Sequence, residues 1–272
     1  MVYLQRLEKK AIEDDEGEYP FNLAVIEHLQ QIEFSAPVTF FVGENGSGKS
    51  TLLETIAVGL RLHTVGGQAQ EHDLRFSGAR KLATRIKFVR KQHPRRGFFF
   101  RSEDFVGFVD RINEAREELD QLTMHFEKEL SGYGRQLATG MAKGQAAAIE
   151  RRYGGNLHDA SHGEGFFKIF KSRLVADGLY LIDEPEASLS PLRQLSLMTL
   201  IHDRVQQNCQ FIIASHSPIL MAFPNATIFD VETNPIKPVA FDDCEHVSFT
   251  RDFLRSPELF LHHLNDKGIE SV

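Results

Sequence analysis

Residues 38–60 read VTFFVGENGSGKSTLLETIAVGL, and this run constrains the fold more than any other part of the chain. Val38 to Val42 is a short apolar run of β-branched and aromatic residues bounded by Pro37 and Gly43, which predicts a buried strand. Lys49 to Leu60 carries Leu52, Leu53, Ile56 and Ala57 at helical spacing, which predicts a helix. Between the two, Gly43, Glu44, Asn45, Gly46, Ser47, Gly48, Lys49 and Ser50 satisfy G-x-x-x-x-G-K-[ST], and Thr51 adds a further hydroxyl. Glycines let the backbone curl until its N–H groups point inward, and the helix N-terminus adds partial positive charge, so such a turn suits phosphate oxygens. In that reading Lys49 reaches the β- and γ-phosphates of a nucleotide and Ser50 ligates Mg²⁺.

Two more apolar runs end in polar residues. Gly178 to Ile182 (GLYLI) predicts a buried strand that delivers Asp183 and Glu184 before Pro185. An acid at such a strand end suits Mg²⁺, and a second beside it can polarise an attacking water, so Asp183 is assigned to the metal and Glu184 to the water. Taken alone, DEPE reads equally as a solvated acidic turn; the phosphate-type loop upstream favours the first reading. Phe211 to Ser215 (FIIAS) predicts a strand of the same sheet and ends at His216, where ligands of open parallel sheets bind. There His216 can hydrogen-bond a γ-phosphate and the attacking water.

Nearly half the chain separates Lys49 from Asp183, too much for the next strand of a minimal nucleotide-binding core, so something is inserted. Residues 102–130 carry Phe105, Phe108, Val109, Ile112, Leu119, Leu122, Phe126 and Leu130 near helical spacing, a stripe that predicts core or helix pairing. Residues 131–155, rich in glycine and alanine, read as a mobile loop or a weak helix. In HDASHGEGFFKIF, residues 158–170, Ser161 stands as N-cap before a helix bearing Phe166, Phe167 and Phe170. That helix start is either a plain cap or a second anion site. Downstream, residues 227–231 and 236–241 predict a hairpin, and the tail predicts two helical pieces broken at Pro257.

The 272 residues are enough for a packed core, and the net charge of −7 gives no global attraction for nucleic acid or an anionic membrane. Cys209 and Cys244 make neither metal-ligand spacing nor a disulfide framework, which fits a reducing compartment. The amino terminus lacks an apolar signal core, and no run approaches the ~20 apolar residues that span a bilayer, so a cytoplasmic protein without membrane insertion is expected.

The motifs GENGSGKSTLLE, SHGEGFF, LYLIDEPEASLSP and FIIASHSPIL, in this order, resemble those of the ABC-type ATPases. Together with GFFFRSEDF they are most similar to the small stand-alone ATPases often labelled "AAA family", whose architecture resembles the heads of chromosome-maintenance and break-repair ATPases. The resemblance covers nearly the whole chain. It implies an α/β P-loop fold with a mostly parallel sheet, flanking helices and an antiparallel β part. A single domain over 1–272 would carry an inserted helical subdomain at about 102–176. It further implies ATP and Mg²⁺ as cofactors, ATP hydrolysis, and an ATP-dependent homodimer. In that dimer Ser161, Gly163 and Glu164 of one subunit would contact the γ-phosphate held by the other. Glu103 stands near where transporter ATPases place a glutamine that senses Mg²⁺, so it joins Ser50 and Asp183 as a metal candidate. Ser190 stands where an aspartate usually crosses the dimer, and the upstream aromatics Tyr19 and Phe21 read either as adenine-stacking candidates or as core.

What the cycle drives is open among three classes. The stretch from Arg80 to Arg101 has nine basic residues and no acidic one, which suits a DNA backbone or equally a solvated face. The fold is also compatible with the ATP-binding subunit of a membrane transporter, whose permease would be another chain. The third class is a nucleotide-dependent regulator of a protein effector.

Overall fold

The computed structural model describes residues 1–10, 17–65, 73–153 and 162–265. Its strands are β1 (Leu4–Lys9), β2 (Gln31–Glu33), β3 (Val38–Val42), β4 (His63–Val65), β5 (Ile86–Arg90), β6 (Arg96–Arg101), β7 (Gly178–Asp183), β8 (Gln210–Ala214), β9 (Thr227–Asp230) and β10 (Lys237–Val239). Among the described residues they form a three-stranded antiparallel sheet, β2-β1-β5, and a seven-stranded sheet, β10-β9-β3-β8-β7-β6-β4. The large sheet is parallel throughout except for the edge strand β10, which pairs antiparallel with β9 as the hairpin reading expects.

β3, β7 and β8 are buried along their whole lengths, so they read as unbroken apolar runs rather than alternating ones. Alternation persists in which core each residue enters. Phe40, Phe98, Phe100, Tyr180, Ile182, Phe211 and Ile213 fill one core, whereas Phe41, Phe99, Leu179, Leu181, Ile212 and Phe229 fill the other. The second core is shared with α1 (Ala24–His28), α2 (Lys49–Leu60), α3 (Ser77–Arg85) and the small sheet.

Between β6 and β7 run α4 (Phe105–Glu129), α5 (Gly132–Tyr153) and α6 (His162–Arg173). α4 and α5 lie against each other as an antiparallel hairpin. Phe105, Phe108, Val109 and Tyr153 anchor its base in the first core, and Arg173 ties it to α6 by stacking 5.0 Å from the Phe108 ring and donating to Tyr153 Oη at 2.7 Å. The apolar stripe of α4 is buried only at this base; Leu122 and Leu130 are exposed. Of the two readings of the glycine- and alanine-rich stretch, the helix is the one found: α5 runs 22 residues, Gly132–Tyr153. Its alanines favour helix intrinsically, and the contact with α4 outweighs the cost of its glycines.

After β7 come α7 (Pro191–Val205), α8 (Pro218–Met221), α9 (Glu245–Arg255) and α10 (Pro257–Asn265), the last two meeting at Pro257 as the tail reading expects. The architecture is an α/β fold with a mostly parallel sheet, flanking helices, an antiparallel β part and a phosphate-loop-type turn between β3 and α2, as the resemblance implies.

Candidate nucleotide site

Strand order brings the distant motifs together. β8 lies between β3 and β7, and β6 flanks β7, so the segments after all four strands emerge along one edge of the sheet. That edge is the carboxyl end of the parallel strands, where open α/β sheets bind their ligands. Gly43 to Ser50 follow β3, Ser102 and Glu103 follow β6, Asp183 closes β7 with Glu184 next, and His216 follows β8. Ser50, Glu54, Arg101, Ser102, Glu103, Asp183 and Glu184 line one pocket.

The loop is held in a form that only glycine adopts cheaply. Gly43, Gly46 and Gly48 have φ of 144°, 86° and 97°. A Cβ on Gly48 would also lie 2.4 Å from Val25 Cγ1. Glu44 N–H donates to Glu232 Oε2 at 2.9 Å, while Glu44, Asn45 and Gly46 are exposed at the tip. Gly48 caps α2 without a side-chain acceptor, and the first turn of α2 carries no acidic residue, so its N–H groups face outward for an anion. Lys49 is 4% exposed, and its Nζ donates to the carbonyls of Gly43 and Glu44, each at 2.8 Å. Burial lowers its pKa, opposed by the carboxylates of Glu184, Asp183, Glu232 and Glu44. Thr51 is buried beside Tyr19, whose hydroxyl lies 3.3 Å from Thr51 Oγ1. Tyr19 is half exposed and Phe21 packs partly against the second core.

Asp183 is 6% exposed, and its Oδ1 has no hydrogen-bond partner. Burial pushes its carboxyl up to about 7, the Ser50 hydroxyl pulls it down, and the charges of Glu184 and Glu54 push it up again. Ser102 Oγ donates to the carbonyl of Glu184 at 2.6 Å and contacts that of Asp183 at 3.3 Å, pinning the acidic pair's backbone. Glu184 sits at φ 47°, and its side chain is 43% exposed, with Oε1 3.5 Å from His216 Nε2.

Glu103 lines the pocket but leans on a cation, 3.1 Å from Arg101 Nη1. Arg101 is buried, bonding Glu54 at 2.8 Å and Asp104 at 2.9 Å, and Arg75 bridges Asp104 to Asp73. Burial holds Glu54 up at about 7 against the pull of Arg101. His216 is carried by a loop fixed through Glu186, whose Oε1 accepts from His216 N–H at 2.5 Å and from Ser215 Oγ at 3.0 Å. Ser217 Oγ in turn donates to Gln194 Oε1 at 2.5 Å. Burial, Lys49 and His246 lower the His216 pKa, while Glu184 and Glu44 raise it. His216 Nδ1 meets His246 Nε2 of α9 at 3.0 Å.

Of the remaining sequence candidates, Ser161 lies outside the described residues, and Gly163 and Glu164 fall in the first turn of α6. Ser190 caps α7, its Oγ accepting from Arg193 N–H. Sequence reasoning missed Glu54, Arg101, Ser102, Glu186 and His246. Of these all but His246 stood inside the quoted motifs, Glu54 in GENGSGKSTLLE, Arg101 and Ser102 in GFFFRSEDF and Glu186 in LYLIDEPEASLSP, where none carried a separate signal.

Residues 21–146 match a family model described as "AAA domain", and residues 165–222 match one described as "AAA domain, putative AbiEii toxin, Type IV TA system". Both stretches are thus similar to AAA-type domains. The two matched stretches contain every candidate residue from Gly43 to His216 except Ser161, Gly163 and Glu164, which fall between them. It is also similar to an "Uncharacterized ABC transporter ATP-binding protein" of Haemophilus influenzae, 25% identical over 256 residues, which covers 89% of this chain and 88% of that protein. Among solved structures it is similar to CbiO1 of Clostridium perfringens, part of the ABC transporter complex CbiONQ, at 16% identity and TM-score 0.45, covering 98% of this chain and 100% of that one. It is likewise similar to the Smc head domain of Pyrococcus furiosus bound to the C-terminal domain of ScpA, at 13% identity and TM-score 0.44, covering 95% and 100%.

Proposed function

We propose that this chain is a Mg²⁺-dependent ATP hydrolase working as an ATP-gated homodimer, with residues 102–176 as a helical insert in one domain spanning 1–272. The observation that carries the reading is the convergence of Lys49, Ser50, Asp183, Glu184 and His216 at one edge of the sheet. The residues present fit a magnesium ion: Asp183 Oδ1 is buried without a partner, and Ser50 adds a hydroxyl, both hard oxygen donors. Ser50 and Asp183 would hold the ion, with Glu103 as a further acid. When bound, Mg²⁺ neutralises charge on the β- and γ-phosphate oxygens.

The chain's own groups supply the rest. The loop N–H groups and the α2 N-terminus take the phosphates, and Lys49 exchanges the carbonyls of Gly43 and Glu44 for γ-phosphate oxygens. Glu184, the exposed acid of the pair, orients a water and accepts its proton as the water oxygen bonds γ-phosphorus and the bond to the β–γ bridging oxygen breaks. His216 Nε2, aimed toward Glu184, hydrogen-bonds the γ-phosphate. A site with Glu184 and Glu103 this exposed admits water freely, which favours closure by a second copy presenting Ser161, Gly163 and Glu164.

A second reading, the ATP-binding subunit of a transporter, rests on the name of the Haemophilus relative. Among the described residues no helix is long and apolar enough to cross a membrane, so the permease would be a separate chain. Action on DNA rests on the basic stretch, of which Arg90, Lys91 and Arg95 are exposed, and a protein effector rests on the toxin–antitoxin wording of one family model. Phosphate release with Mg·ATP tests the enzyme itself. Glu184→Gln should bind ATP normally and release phosphate at least about a hundredfold more slowly, and Lys49→Ala should lose ATP affinity. Wild-type turnover in Glu184→Gln would remove that residue from the mechanism.

A further inference from the structure

His216 and His246 stand thirty positions apart, yet their rings lie tilted at 55° to each other with centroids 4.9 Å apart and a 3.0 Å contact between His216 Nδ1 and His246 Nε2. A contact that short between two ring nitrogens requires a proton on one of them and a lone pair on the other. The direction of this bond matters because His216 is held neutral by its burial and by Lys49, and a neutral imidazole has a single N–H to place. If His216 donates through Nδ1, its Nε2 presents a lone pair to Glu184 Oε1 3.5 Å away, and the two electron-rich atoms repel. If His246 donates, His216 carries its proton on Nε2, aimed at Glu184 and the phosphate site. His216 Nε2 is buried and has no protein partner, which leaves that N–H available for a ligand.

We propose that His246 is a positioning residue that donates Nε2–H to His216 Nδ1 and thereby fixes His216 in the tautomer whose Nε2–H points at the γ-phosphate. The inference rests on the proposed role of His216. His246 is suited to it because α9 is anchored in the first core by Cys244 at its cap and Val247 next in line. The backbone of His216 is held independently by Glu186, so the ring's remaining freedom is its rotation and its protonation pattern, and His246 sets both.

The test uses the full chain with His246→Leu, His246→Gln and His216→Ala, each checked for an unchanged unfolding midpoint. Two-bond ¹H–¹⁵N spectra of the imidazoles, which separate a proton-bearing ring nitrogen from a bare one, should show His216 protonated at Nε2 in the wild type and a mixture in His246→Leu. Turnover should fall about tenfold in His246→Leu with ATP affinity unchanged, the scale of one hydrogen bond. His246→Gln, whose side-chain amide can donate in the same place, should restore most of it. Adding His246→Leu to His216→Ala should cost nothing further, whereas a merely structural role would lower the double variant again. Full turnover in His246→Leu alongside a slow His216→Ala would overturn the role of His246 alone. If His216→Ala itself turned over normally, the proposed γ-phosphate contact of His216 would fall. In that case His216 protonated at Nδ1 in the wild-type spectrum would overturn the tautomer assignment as well.

Discussion

Asp183 and Glu184 are neighbours in sequence and live in different media. The strand end buries the first, leaving one carboxylate oxygen unpaired and its pKa near 7, while the left-handed turn at φ 47° swings the second into half-exposed space beside His216. Two like groups are thereby given different work, one suited to a cation and one to a water. His216 carries a pH signature. Its folded pKa lies below the ordinary 6.5, so between that value and lower pH the unfolded chain binds more protons than the folded one. Its contribution to stability is therefore present above pH 6.5 and lost as the pH falls. His216→Asn should show a smaller drop in urea midpoint between pH 7.5 and 5.5 than the wild type, and an equal drop would show that another group carries the dependence. Lys49, Ser50, Asp183, Glu184 and His216 could all be named as candidates from the sequence, the first two because they close a glycine-rich loop between a strand and a helix and the others because they follow apolar runs. Glu186 and His246 could not, because their meaning arises from contacts with His216 across thirty positions of chain.

At the scale of elements, α2, β6 and the turn after it are joined by one buried cation. Arg101 bonds Glu54 and Asp104 and stacks 5.1 Å from the Phe76 ring, fixing the helix of the phosphate loop to the strand that carries Glu103. Removing one member of such a group leaves the others buried without compensation. Arg101→Met should therefore cost about 3–5 kcal/mol in chemical unfolding, and Arg101→Met with Glu54→Met should recover much of it. A single variant as stable as the wild type would show the network to be incidental. β3, β7, β8, the β9–β10 hairpin and the tail helices were legible at this scale from apolar runs and from Pro257, whereas β1, β2, β4, β5 and β6 were not singled out. α5 was legible only as one of two alternatives, a loop or a weak helix, and its contact with α4 shows why the alanines prevail over the glycines.

The fold class of the whole molecule was legible through the family resemblance that four motifs in a fixed order carry. Its surface charge was not. The basic stretch from 80 to 101 looks continuous in one dimension, but folding sends Arg101 inside, pairs Lys87 with Glu8 and turns Arg80 onto the carbonyl of Asp73. The central claim belongs to this scale as well: ATP holds two copies together over a site that one copy leaves half open. The direct measurement is the mass of Glu184→Gln by light scattering, with and without Mg·ATP, repeated with Ser161→Arg added. The account predicts a monomer without nucleotide, a dimer with it, and loss of that dimer in the double variant. A mass that stays monomeric while ATP is bound would contradict it.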